Sequence, residues 1–193
     1  EYVDGHYDGD VFVCGDKQSA ADREKIALVQ QNPDAQNVAM RVDEEVAFGL
    51  CNLGHPRGDV LADTEATLSD FRLSPRRAES PDSLSFGHKQ RLVTAAVSVL
   101  KPQILLLDEP VSNADREGRS SILAMLRAQK EAGRALVIVT HELGPFLSLA
   151  DSVLLLSSDG RVARQGDARL IAGDTALLRT LGVEPPSSMG VGQ

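Results

Sequence analysis

Two unbroken apolar runs stand out along this chain, Ile104-Leu105-Leu106-Leu107 and Leu136-Val137-Ile138-Val139. The first closes on Asp108-Glu109 and the second on Thr140-His141. Short apolar runs without polar alternation predict strands buried on both faces, as in a parallel sheet. Between them, residues 116–132 mix apolar and charged positions and stop at Gly133, which predicts a helix. Strand, helix and strand at this spacing make a βαβ unit, with its polar residues gathered at the strands' C-terminal ends. Residues 26–30 predict another short buried strand, and Asn32-Pro33-Asp34 the turn after it.

Further elements follow from the same patterning. Residues 59–71 have helical character, with Val60, Thr64, Thr67 and Phe71 on one side. Ser85 reads as the N-cap of a helix through Arg91, Ala95 and Val99 to Leu100, stopped by Pro102. Val153 to Leu156, Asp159-Gly160 and Val162 give a hairpin signal. Gly5, Gly9 and Val11-Phe12-Val13 predict a turn feeding an edge strand. The expected fold class is α/β with a parallel sheet core, followed by a Pro-, Ser- and Gly-rich tail at residues 184–193.

Composition narrows the picture in three ways. With 193 residues and 42% hydrophobic content, the chain suits one domain with a sizeable core. No apolar run approaches the ~20 residues that span a bilayer, so any membrane connection passes through a partner. A net charge of -8 argues against nucleic acid as the main ligand, because phosphate backbones demand basic stripes. Cys14 and Cys51 form neither a disulfide framework nor a metal-ligand spacing, which fits a reduced compartment.

The chemistry concentrates at strand ends. Two adjacent acids after a buried strand are costly in a core, so Asp108 and Glu109 should face a cation or water. His141 emerges at the neighbouring strand's end, where an imidazole can hydrogen-bond a γ-phosphate oxygen, or simply cap the strand. His6, His55 and His88 lack such a context. Ser85-Phe86-Gly87 opens a helix whose free N–H groups and dipole attract anions, though a capped helix alone reads the same way. Gln31 offers an amide oxygen to Mg²⁺ or the attacking water, or is one more polar loop residue. Asp115 is a turn residue or helix N-cap, or a group coupling two nucleotide sites across a dimer. No Gly-x-x-x-x-Gly-Lys-Ser/Thr occurs, since Gly49 and Gly54 run on into His55-Pro56. The chain opens at Glu1 without Met. The expectation is an ATPase domain over residues 1–183 that lacks its N-terminal phosphate-loop portion and binds ATP poorly alone, with residues 184–193 as tail or linker.

Taken together, these residues resemble the ATP-binding cassette (ABC) ATPases, whose fold is a P-loop-type parallel sheet with a helical signature subdomain. Leu84-Ser85-Phe86-Gly87-His88 corresponds to the signature motif, and residues 104–108 to Walker B. Glu109 matches the catalytic glutamate, Gln31 the Q-loop, Asp115 the D-loop and His141 the switch histidine. Residues 31–36, Val42-Asp-Glu-Glu-Val-Ala-Phe-Gly49 and Asn52-Leu-Gly54 resemble, more narrowly, the ATPase subunits of energy-coupling factor importers of vitamins or metal ions. Phe86, His88, Val111 and Ala114 depart from the family pattern, which commonly has Gly, Gln, Thr and Leu there.

The resemblance implies ATP and Mg²⁺ as ligands. It assigns Glu109 and His141 as catalytic, Ser85, Gly87, Asp115 and Gln31 to nucleotide binding, and Asp108 with Gln31 to the metal. It also implies a second ATPase subunit, an integral membrane coupling protein with a substrate-capture protein, and a peripheral place on the cytoplasmic face of the membrane. Two rival classes are a soluble cassette ATPase acting on ribosomes or DNA, and a non-catalytic binding subunit. Paired cassettes, basic linkers or long coiled coils would mark the first, and none is visible. Glu109 and His141 would have little reason to coexist in the second.

Overall fold

The computed structural model describes residues 8–17 and 25–186. Its centre is a parallel sheet of three strands in the order β3 (Ile26–Val29), β4 (Ile104–Asp108) and β5 (Ala135–Val139). Leu28 lies opposite Leu106, and Leu106 opposite Val137. Because Val29 pairs Leu107 and Asp108 pairs Val139, all three strands run out at one level. The chain leaves β3 through α1 (Val42–Asn52), α2 (Arg57–Asp70) and α3 (Phe86–Ser98), and leaves β4 through α4 (Arg116–Glu131).

The sheet has two unlike faces. Val29, Leu105 and Leu107 are buried with Val93 of α3 and Ile122 and Leu126 of α4. On the opposite face Leu28, Val137 and Val139 are exposed. The expectation of strands buried on both sides therefore fails for β5, which alternates between half-buried and exposed positions. Among the described residues, helices cover one side only.

A second apolar cluster joins the three helices between β3 and β4. Val42, Val46 and Leu50 of α1 fall four apart on one stripe and meet Val60 and Leu68 of α2, Leu92 and Ala95 of α3, and Val99 just past the end of α3. In α2, Leu68 takes the inward position that the sequence pattern assigned to Thr67, and Phe71 caps the stripe. The helix α1 was not anticipated, because Asp43, Glu44 and Glu45 crowd its first turn. Acids there suit the positive end of the helix dipole. Glu45 is buried, and its Oε2 accepts hydrogen bonds from the backbone N–H groups of Val38 (2.9 Å) and Ala39 (2.7 Å).

Smaller units complete the chain. β1 (Phe12–Val13) pairs antiparallel with β2 (Asp16–Lys17) as a separate two-stranded ribbon, of which the expected strand is one edge. Gly5 lies outside the described residues. The predicted hairpin is present as β6 (Ser152–Leu156) and β7 (Val162–Asp167), turning at Gly160 with φ +78. It packs with α5 (Ala168–Gly173) and α6 (Thr175–Thr180) around Leu155, Ile171 and Leu178. In the tail, Glu184 forms a parallel bridge with Glu142. Residues 187–193 lie outside the description.

Candidate nucleotide-handling site at the strand ends

The level termination of β4 and β5 brings Glu109 and His141 together. Glu109 Oε1 accepts from the His141 backbone N–H at 3.0 Å and lies 2.7 Å from His141 Nδ1. Its other oxygen accepts from the Thr140 hydroxyl at 3.2 Å, and Thr140 Oγ1 in turn accepts from the Glu142 N–H at 3.1 Å. The Glu109 side chain is 16% exposed, whereas that of His141 is 66% exposed. The carboxylate is therefore held from behind while the imidazole reaches outward. Glu109 raises the pKa of His141, by hydrogen bond first and by charge second.

Glu109 also has φ +45, in the left-handed region, anchored by its N–H to the Val139 carbonyl at 2.9 Å. A non-glycine residue there costs about 1–2 kcal/mol. Such strain persists where surrounding contacts fix it, and it is common at functional sites.

Asp108 and Gln31 lie at the same end of the sheet. Both are exposed, and among the described residues neither side chain has a hydrogen bond or ion pair. One step beyond the last pair of β3 and β4, Gln30 reaches the level of Asp108, and Gln31 follows it. Gln36 pins this loop by donating from Nε2 to the Leu28 carbonyl at 3.0 Å and accepting from the Gln30 N–H at 2.7 Å. No group of three or more His, Cys, Asp or Glu side chains among the described residues could cage a metal ion. Mg²⁺ fits two free oxygen donors of this kind when substrate phosphates and waters complete its shell.

The two helix starts singled out in the sequence lie beside each other, Gly87 of α3 against Gly118 of α4. Ser85 occupies the N-cap position of α3 but makes no capping bond, and its Oγ lies 2.8 Å from His88 Nδ1. The first N–H groups of α3 thus lack a side-chain cap. Lys89 ties α3 to the loop after β3 by an ion pair with Asp34 at 2.6 Å. Asp115 caps α4 by accepting from the Gly118 N–H at 2.7 Å, so the N-cap reading of that residue holds.

Gly87 serves a purpose the sequence did not reveal. A Cβ there would sit 3.2 Å from Gly118 Cα, so α3 and α4 touch through paired glycines. Replacing Gly87 with Ala requires the α4 backbone to give by a few tenths of an ångström, an overpacking expected to cost about 1–3 kcal/mol. That outweighs the gain of up to about 1 kcal/mol from alanine's helix propensity. Urea unfolding should show the net loss, and an unchanged midpoint would mean the contact has slack.

Residues missed in the sequence complete the support. Arg119 donates from Nε to the Ala114 carbonyl at 3.1 Å and forms a two-pronged ion pair with Glu142, Nη2 to Oε1 at 3.0 Å. The pair holds the Glu142 carboxyl below, and the Arg119 guanidinium above, its ordinary pKa. It locks the Asp115 helix start to the loop carrying His141. A signal did exist, since an Arg in the first turn of a helix opposes the dipole and needs an acid from elsewhere.

Beside these helices, α1 and α2 flank an opening of about 1010 Å³ lined by Arg41, Asp43, Ala47, Arg57, Leu61 and Arg77. Nearby, Val38, Met40, Phe48 and Leu61 leave apolar side chains exposed, Met40 by 80%. No helix among the described residues is long and apolar enough to cross a membrane.

Comparison with known proteins agrees with this geometry. Residues 5–112 match the family model described as ABC transporter. An ABC transporter ATP-binding protein of Pyrococcus abyssi is 36% identical over 98% of this chain and 69% of its own length. The energy-coupling factor transporter ATP-binding protein EcfA1 of Lactobacillus delbrueckii subsp. bulgaricus is 38% identical over 85% of this chain and 58% of its own. Among solved structures, cbiO1 of Clostridium perfringens, titled as part of the ABC transporter complex cbiONQ, superposes with a TM-score of 0.73 at 31% identity. That superposition covers 84% of this chain and 64% of cbiO1. With Glu109 after one strand and His141 after the next in contact, and these relatives beside it, the chain belongs to the ABC transporter family as its ATP-binding, ATPase-type domain.

Proposed function

We propose that this chain is the ATP-hydrolysing subunit of an energy-coupling-factor type importer of vitamins or metal ions, peripheral on the cytoplasmic membrane face. The observation that carries the reading is the Glu109 carboxylate held by His141 and Thr140 at the sheet end where the side chains of Asp108 and Gln31 have no partner among the described residues. Two such domains meet over ATP, its phosphates held on one side by a phosphate loop that these 193 residues do not contain. Ser85 and the first N–H groups of the partner's α3 close on the same γ-phosphate, which suits the open N-terminus of that helix.

Glu109 orients and polarises the attacking water, the role of the water-positioning group in phosphoryl transfer. His141, already tied to Glu109, reaches a γ-phosphate oxygen with its other ring nitrogen. Asp108 and Gln31 hold Mg²⁺, which when bound neutralises charge on the phosphates. Asp115, fixed by the Gly118 N–H and braced through the Arg119–Glu142 pair, relates one nucleotide site to the other. The names of EcfA1, an energy-coupling factor transporter ATP-binding protein, and of a cobalt import ATP-binding protein of Rhodobacter capsulatus, 36% identical over 85% of this chain, support this reading.

The opening between α1 and α2, with Met40 and Phe48 exposed beside it, suits an integral membrane coupling protein carrying apolar and charged groups. The full-length protein should therefore co-purify from detergent-solubilised membranes with an integral membrane protein. Met40→Asp should abolish that association while leaving ATP-driven dimerisation intact. Recovery with ribosomes, or association indifferent to Met40→Asp, would overturn the importer reading.

A further inference from the structure

Ser85 sits where a helix-capping serine belongs, yet its hydroxyl bonds the ring of His88 rather than the helix N–H groups. A hydroxyl has one hydrogen to give. If Nδ1 of His88 lacks a proton, the 2.8 Å contact takes the Ser85 hydrogen. If Nδ1 carries a proton, it donates to Ser85 Oγ, and the serine hydrogen turns free toward another acceptor.

We propose that His88 is the positioning residue of Ser85, setting whether that hydroxyl can donate to a γ-phosphate oxygen presented by a second copy. This rests on the reading above, in which a phosphate meets Ser85.

The surroundings of His88 fix the direction of the effect. Burial, first, and the charges of Arg76 and Arg91 lower its pKa, against Glu79 and Glu117, which raise it. Arg76 is itself paired with Glu79 at 3.0 Å. Near neutral pH the ring is therefore uncharged before a nucleotide arrives. A phosphate accepting from Ser85 selects the form with hydrogen on Nδ1. Its negative charge also draws a proton from solvent onto the free ring nitrogen. Dimer closure thus takes up a proton at His88. Since closure raises this pKa, it is favoured at lower pH and weakened as pH rises through the interval between the free and closed values.

The test uses the full-length protein carrying Glu109→Gln, which suppresses hydrolysis, with ATP and Mg²⁺ and sedimentation from about pH 6 to about pH 8. Dimer affinity in this parent should weaken several-fold as pH rises. Adding His88→Gln should remove the part of the pH dependence due to His88, while the contribution of His141, present in both proteins, cancels in the comparison. Adding His88→Phe should cost about tenfold in affinity near pH 6, the loss of one charge-assisted hydrogen bond, and less as pH rises. Affinities and pH profiles identical to the parent in both variants would overturn the proposal.

Absence of any ATP-driven dimer in the parent would instead sink the functional reading. A second measurement tests the contact itself. Imidazole ¹⁵N spectra of the same protein should show the His88 Nδ1 signal and titration shifting in Ser85→Ala, and an unmoved His88 would also overturn the proposal.

Discussion

Replacing Glu109 with Gln in the full-length protein lowers ATP turnover by about 10²–10⁴-fold, the usual contribution of a general base, while ATP-driven dimerisation survives. The atoms explain both halves of this expectation. Glutamine keeps the shape of the side chain. Its Oε1 still accepts from the His141 N–H and from a hydrogen on Nδ1, where Glu109 Oε1 now lies at 3.0 and 2.7 Å. Its amide nitrogen faces Thr140 Oγ1, now 3.2 Å away, and donates where the carboxylate accepted.

The loop geometry thus remains, and only the basic oxygen that takes a proton from water is lost. The substitution keeps that hydrogen bond but removes the negative charge that helps raise the pKa of His141, so that imidazole should titrate lower. Steady-state hydrolysis, sedimentation with ATP and the His141 titration together check the result. Turnover within a few-fold of the parent would deny Glu109 its role. Loss of the dimer alongside turnover would mean that the carboxylate has a structural task here.

What the sequence disclosed is bound up with how the apolar runs end. Asp108-Glu109 and Thr140-His141 follow short runs in adjacent strands, and parallel register alone is enough to bring those ends together. The α1 helix escaped notice because its stripe of Val42, Val46 and Leu50 is interleaved with three acids, one of them buried and bonded to the chain before the helix. The pairing of Gly87 with Gly118 joins residues on different helices, and no local pattern encodes it. Arg119 and Glu142 lie 23 positions apart and meet only after α4 folds back along β5. His88 looked contextless because its partner is a neighbouring hydroxyl rather than another charged group. Long-range partnerships, not element types, are what one chain read alone conceals.

The same limit produces the second large expected effect, the contrast between Leu107→Ala and Val137→Ala. Both residues sit inside apolar runs of similar length, and composition gives no reason to separate them. In the fold Leu107 is 1% exposed, packed with Ile122 and Leu126, while Val137 is 50% exposed on the open face. Truncating Leu107 removes buried methyl groups and leaves a cavity beneath α4, at a cost of about 2–5 kcal/mol. Against a typical total of about 5–15 kcal/mol, that is a large share of the stability.

Leu107 also immediately precedes Asp108 and Glu109, so the cavity lies directly behind the strained turn that aims the carboxylate. Turnover per folded molecule should drop as well, because a carboxylate displaced by an ångström loses its alignment with the water it activates. Val137→Ala removes side-chain atoms already half in solvent and should stay within about 1 kcal/mol of the parent. Denaturant midpoints of this 193-residue chain measure the stability difference directly. A Val137→Ala loss equal to that of Leu107→Ala would show that the outer sheet face is covered in solution by something beyond the described residues.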